Sequence, residues 1–456
     1  MSSGGTPGTC GGSSSEDEMI AFGTAQRRKR VEDDVSNTKR GPKVDRSTDQ
    51  RTPWTRTRWD GHADAKIRAH EWNDYYHMPV VTFYRLHALL FAESAVQKAR
   101  STQQGGNSSK MGPIDTRVKL ACALRELFGE KRKSLADVFL LSKTAVRIAF
   151  LDVVRRINAC PELHGEVFQT VQTPELLHAR ACAFQQRSAH PNVFRHVVGA
   201  IDGLFIKTQQ PRAKEVVNVR SYFSGHKRGF GINMQGVCDA TCRFIGFACN
   251  TSGSTSDYVA FKEANISGIW PQLQEPYFYV GDCAYPLAPF CLIPYVGKLL
   301  PNDEDVFNFF HSQLRITIER AFGIFVNVFR IFHSPLTFSI RHSCEVVEAC
   351  VKIHNYRIDQ GCQVVLRTRS SGAIFRTAFE RSGEMFDVLD DERYVTSRPH
   401  DTDRAYARHV AAAEATGTRP NDARAGALRR TAIAAALSRA GAQRPTASVQ
   451  QQEHQQ

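Results

Sequence analysis

The rhythm of apolar and polar positions changes twice along this chain. Over residues 1–60, Ser, Gly, Thr and charged side chains leave hardly any aliphatic residue before Trp54, too little apolar surface to offset the entropy of ordering. This predicts a disordered basic and polar tail. Between about 78 and 180 the apolar spacing is helical, as in Val81, Phe83, Leu86, Leu89 and Leu90. Within that region Ser134 to Phe139 reads as a short helix, Leu140-Leu141 as a turn, and Ser142 as the N-cap of a helix running to about Ile157. The outline is that of a helix-turn-helix, whose second helix can enter a DNA major groove, with Lys143, Thr144 and Arg147 on its N-terminal face. A plain core hairpin has the same outline.

From Phe194 the pattern becomes strand-like. Arg195 to Ile201 is apolar and ends at Asp202-Gly203; Gly231 to Cys238, Arg243 to Cys249 and Tyr277 to Gly281 follow, the last ending at Asp282. Asp257 opens a helix, and a long helix over Phe307 to Phe325 carries Arg315, Glu319 and Arg320. Three strands, a helix, a fourth strand and a helix predict a mixed α/β layer over 190–360. Residues 361–456 read as a low-complexity C-terminal tail, with exposed Ala- and Arg-rich helix within Ala405 to Ala442 and a Gln-rich tip.

Composition narrows the class. With 42% hydrophobic and 23% charged residues in 456, a wholly disordered or collagenous chain is excluded. The most apolar stretch, Tyr277 to Leu300, is interrupted by Asp282, Pro286, Pro289 and Pro294, and the first 30 residues lack a signal peptide's apolar segment. The expectation is a soluble intracellular protein without a membrane partner. Twelve scattered cysteines without a CxxC pair are expected to be reduced thiols. Lys and Arg number 59 against 46 Asp and Glu, a formal charge of +13 that suits a polyanionic partner without demanding one. Two basic clusters, Arg27 to Arg30 and Lys39 to Lys43, read equally as nuclear import signals or as solvated charge.

The acidic residues carry the candidate chemistry. Asp202 and Asp282 are expected at the C-terminal tips of neighbouring apolar strands, and Glu319 on a helix that packs back across that edge. Three hard oxygen donors suit Mg²⁺ or Mn²⁺, and a pair of such ions activates water or a 3′-hydroxyl for phosphodiester chemistry. Taken singly, each carboxylate equally suits a turn, a helix cap or a surface ion pair.

The ordered set is similar to a known family. Gly199-Ala200-Ile201-Asp202-Gly203, the Gly253-to-Asp257 segment, Gly281-Asp282-Cys283-Ala284-Tyr285-Pro286-Leu287, His311 through Gly323 with Arg315 and Glu319, and Ile353-His354-Asn355 resemble successive motifs of PIF/Harbinger-type DDE transposases and their domesticated HARBI-like relatives, over about 80–357. The resemblance implies an RNase H-like catalytic domain preceded by the helical region, with Asp202, Asp282 and Glu319 as catalytic acids and metal ligands. Asp257 matches a further family aspartate and is a fourth candidate ligand; Asp282 is preferred as the middle acid because Asp257 opens a helix. Lys227 and Arg228 resemble the family's basic pair, and with Lys143, Arg147 and Arg315 they are candidate DNA contacts. His311 and Arg315 are candidates to orient Glu319 or reach the scissile phosphate. Phe205 stands near where the family commonly has His, which would leave that residue's role lost or shifted to Lys207.

By resemblance the function is a metal-dependent DNA nuclease or transposase acting on transposon ends in the nucleus with two Mg²⁺ or Mn²⁺ ions. It also implies a homo-oligomer and a separate Myb/SANT-like companion. The alternative is a domesticated, catalytically silent scaffold that binds chromatin or protein. A small-molecule phosphoesterase is a third.

Overall fold

An aromatic cluster organises the N-terminal helices. Trp59 opens α1 (Trp59–Arg68) and stacks 5.2 Å from Phe83, while Trp72 and Tyr76 of α2 (Trp72–Tyr76) meet both rings. Ordered structure therefore begins at Trp59, inside the stretch expected to be tail, because this indole is an anchor of the core. On α3 (Val80–Ser101), Phe83, Leu86 and Leu90 are buried at i, i+3 and i+7, whereas Val81 and Leu89 fall off that stripe and are exposed. Next come α4 (Thr116–Leu127), α5 (Arg132–Phe139), α6 (Lys143–Ala159), α7 (Pro161–His164) and α8 (Pro174–Gln185). The structure, a computed structural model, describes residues 56–101, 113–164, 172–263, 273–297, 299–362, 364–367, 374–377 and 420–444. The two basic clusters of the tail and the Gln-rich tip lie outside them.

The α5–α6 turn forms as its residues predict. Leu140 adopts a left-handed conformation (φ 49°) that ends α5, and Ser142 Oγ accepts from the Ala145 amide at 3.1 Å to start α6. The inner face of α6 buries Val146, Phe150, Val153, Val154 and Ile157, leaving Lys143, Thr144, Arg147 and Ile148 outward.

The second layer is a mixed sheet of β1 (Val197–Lys207), β2 (Phe223–Ser224), β3 (Gly229–Cys238), β4 (Phe244–Ser252), β5 (Phe278–Val280) and β6 (Cys291–Leu292). Its order is β2-β3-β1-β5-β6, with β4 also on β3; β1, β3 and β4 pair antiparallel, whereas β5 joins β1 and β6 joins β5 in parallel. Helix α9 (Asp257–Glu263) follows β4, and α10 (Asn302–Val328) and α11 (Ile340–Asp359) follow β6. A separate hairpin, β7 (Val364–Arg367) with β8 (Ile374–Thr377), and α12 (Pro420–Arg439) complete the described elements. This is an RNase H-like mixed sheet flanked by helices and preceded by a helical region.

One boundary differs from expectation and moves an acid. Strand β1 does not end before Asp202, because β3 continues to pair with it from Ala200↔Cys238 to Lys207↔Gly231. Asp202 therefore lies mid-strand. The parallel partner stops earlier, at Ala200↔Val280, so the β1–β5 edge opens where Asp202 and Asp282 follow.

Long-range polar contacts join the layers. His354 Nε2 donates to the Cys242 carbonyl at 2.9 Å, and Asn355 bonds both the amide and the carbonyl of Phe244, which fixes the β3–β4 connection to α11. Lys352, fully buried, pairs with Glu348 and donates to the Asn158 carbonyl of α6 at 2.7 Å. Helix α12 is not exposed along its length, as expected for the tail: Ile433, Ala434 and Leu437 are buried. Arg429 donates to the Pro289 carbonyl at 2.5 Å, and the Arg430 guanidinium lies 3.9 Å from the Tyr295 ring centre. The Ala-rich stripe seats closely where long side chains would not. Among the described residues all cysteines are free, and no helix is long and apolar enough to cross a membrane.

Candidate active site

Strand alternation sorts the acids onto two faces of the sheet. Asp202 pairs with Gly236, where a Cβ would stand 3.0 Å from the Phe322 ring of α10, so Asp202 belongs to the face that α10 covers. Arg315 and Glu319 of α10 meet it there. Gly203 points the opposite way, and a Cβ on it would overlap Asp257 Oδ1 and come within 2.9 Å of Gln235 Nε2. Asp257, the first residue of α9, thus sits behind the sheet from Asp202, reached only because residue 203 has no side chain. Asp282, just past β5, feels the charges of Asp202, Asp257 and Glu319 alike.

The electrostatics follow from this crowding. Burial holds the Asp202 carboxyl well above the usual aspartate range, and the charge of Asp282 adds to it, while Arg315 and the Gly203 amide, 2.7 Å from Oδ1, oppose. Burial likewise pushes Asp282 up to about 6; Asp257 and Glu319 add to the rise, and the Ala284 amide and Arg315 resist it. Arg315 Nη1 lies 2.5 Å from Glu319 Oε1 and 3.7 Å from Asp202 Oδ2, a single cation between the first and last acids.

Asp257 is held by three residues that the sequence reading did not single out. Asn233 Nδ2 and Gln235 Nε2 donate to its Oδ1 at 3.0 and 3.1 Å, and Tyr285 donates from its hydroxyl to Gln235 Oε1 at 2.5 Å. All three are buried. A signal was present: Asn233 and Gln235 are amides at alternate positions of an otherwise apolar strand, and buried polar groups must find partners.

Other candidates are placed differently. His311 does not reach the acids; its Nε2 donates to the Leu292 carbonyl of β6 at 2.9 Å, its ring stacks on Phe307, and burial lowers it to about 4. The reason is helical phase, since His311 lies on the sheet-facing side of α10 with Phe307 and Leu314. Phe205 covers Gly231 and Gly253, the two glycines that leave room for its ring, and Lys207 is exposed at the end of β1. Lys227 and Arg228 are exposed in the β2–β3 turn, where Arg228 is left-handed (φ 49°), and Lys143 and Arg147 are exposed on α6.

Residues 201–355 match the family described as DDE superfamily endonuclease, so the chain carries a DDE endonuclease domain of the PIF/Harbinger type. The match spans the acids from Asp202 to Glu319 and closes at Asn355. Protein ALP1-like of Arabidopsis thaliana is similar at 24% identity over 300 residues, covering 62% of this chain and 70% of that protein. No solved structure matches.

The donor chemistry of this site fits a divalent ion: hard carboxylate oxygens, crowded enough to raise one another's proton affinity. The spacing does not fit as it stands. Among the described residues no three Asp, Glu, His or Cys groups are arranged to hold one ion, and Arg315 stands between two of the acids.

Proposed function

We propose that this chain is a divalent-metal-dependent DNA endonuclease of the transposase class, cutting phosphodiesters at transposon ends and able to join them to a target. The supporting observation is the opened β1–β5 edge, where Asp202 and Asp282 follow in adjacent strands and Glu319 descends from α10, inside a DDE endonuclease domain. In this reading Asp202, Asp282 and Glu319 hold Mg²⁺ or Mn²⁺, which would supply Lewis acidity and an activated water. Asp257 enters with Oδ2 alone, since Asn233 and Gln235 engage Oδ1. Arg315, Lys227 and Arg228 are assigned to DNA phosphates near the cut, and Lys143 and Arg147 to DNA along α6. The nucleus is the compartment where such a substrate lies.

The test is a nicking assay with Mn²⁺ on DNA carrying the element's terminal repeats. Activity is expected in the wild type and loss by Asp282→Ala; equal nicking by both sinks the reading. DNA affinity should also fall steeply with added salt, which small-molecule phosphoesterase chemistry would not require. A silent scaffold is the second reading, favoured by Phe205 packed on Gly231 and Gly253 in place of the family's His. It predicts DNA or chromatin binding with no nicking in any divalent cation.

A further inference from the structure

Arg315 and a divalent ion want the same oxygens. The guanidinium contacts Glu319 Oε1 at 2.5 Å, approaches Asp202 Oδ2 at 3.7 Å, and is felt as a favourable charge by Asp282 as well. Its place is set by the helix, because Arg315 stands one turn before Glu319 on α10, the spacing at which such side chains meet. It is not sealed in: the Arg315 side chain is 24% exposed, beside carboxylates that are 22% and 30% exposed. A guanidinium cannot surrender its charge by losing a proton at any ordinary pH. When another cation takes the carboxylates, Arg315 can leave only by rotating, and it then presents an unpaired planar fork, the group best suited to a phosphate.

We propose that Arg315 is a resident counter-cation, which pairs Asp202 and Glu319 until a divalent ion takes them and is then passed to a DNA phosphate. Metal and DNA thereby bind cooperatively. This rests on the metal-nuclease reading and adds a linkage to it, since each ligand removes the partner that the other must displace. The coupling is reciprocal by thermodynamic necessity. Two simpler roles make opposite predictions. A plain phosphate contact would leave metal affinity untouched when Arg315 is removed, and a residue that merely orients Glu319 for the metal would weaken it.

Mn²⁺ titration calorimetry on the full chain separates these roles. The wild type, Arg315→Met and Asp282→Asn are compared with and without a short mixed-sequence duplex bearing cleavage-resistant phosphorothioate linkages. Arg315→Met should bind Mn²⁺ about tenfold or more tightly than the wild type without DNA, the lower end of what one guanidinium does to the proton affinity of a neighbouring carboxylate. The duplex should tighten Mn²⁺ binding in the wild type and not in Arg315→Met. Equal or weaker Mn²⁺ binding by Arg315→Met overturns the inference, while Mn²⁺ uptake lost in Asp282→Asn leaves the metal reading standing. Should Arg315→Met not fold, the wild-type comparison decides alone: Mn²⁺ affinity unchanged by bound duplex overturns the inference. A wild type that takes up no Mn²⁺ removes both.

Discussion

Gly203 shows how much one missing side chain decides. Asp257 Oδ1 occupies the place of its Cβ, and that oxygen is held there by Asn233 and Gln235, themselves tied to Tyr285. Gly203→Ala should therefore cost about 1–3 kcal/mol, the usual penalty of overpacking, measurable by urea denaturation. Unaltered stability would mean that Asp257 moves aside freely. Asp282 supplies a pH prediction. Its folded-state value, about 6, is raised above the ordinary 3.8, so the stability it allows is full below that ordinary value and is lost as pH rises through about 6. Asp202 is shifted in the same direction. Asp282→Asn should raise the thermal midpoint near neutral pH and give no gain in mild acid below the ordinary aspartate value; a pH-independent difference would count against the crowded-carboxylate account.

At the scale of elements, α5 and α6 form from local signals. Ser142 caps α6 through its hydroxyl, and Ser142→Ala should lower stability by about 1 kcal/mol, within the 0.5–2 range seen for such caps, again by denaturation. On the outer face of the same helix, Lys143, Thr144 and Arg147 are exposed, and Ile148 is 63% exposed, an apolar residue with no core role. If α6 reads DNA, Arg147→Ala should weaken duplex binding severalfold in a gel-shift titration while leaving the melting curve unchanged. Unchanged affinity would place recognition elsewhere, for which a Myb/SANT-like companion is the outstanding candidate. Strand β1 was legible in its apolar start and not in its length, because pairing with β3 beyond Ile201 depends on a partner some 30 residues away.

At the scale of the whole molecule, α12 crosses the longest stretch of chain to dock. Gly426 permits it, since a Cβ there would stand 2.8 Å from three backbone atoms of Ala288, and backbone cannot yield as a flexible side chain would. Gly426→Val should lift α12, expose Ile433 and Leu437, and make the C-terminal segment an early site of limited proteolysis, read by mass spectrometry. A cleavage pattern identical to the wild type would show that the helix is held by Arg429 and Arg430 alone. The helical layer is joined through α11, where Lys352 and Asn158 exchange bonds with backbone across the two layers.

The sequence by itself determined the elements with strong local signals: the capped helix after Leu140, the apolar strands, the order of Asp202, Asp257, Asp282 and Glu319, and the His354-Asn355 pair that closes the domain. Periodicity, caps and motif order are properties of short segments, so one chain suffices to read them. Tertiary structure alone decided which acids share a face, because that follows from the register of β1 on β3 and from strand alternation. It also decided that His311 turns inward, that Arg315 stands between Asp202 and Glu319, and that an Ala-rich tail helix is a docked one. Each of these depends on groups brought together from distant parts of the chain, which only the packed molecule specifies.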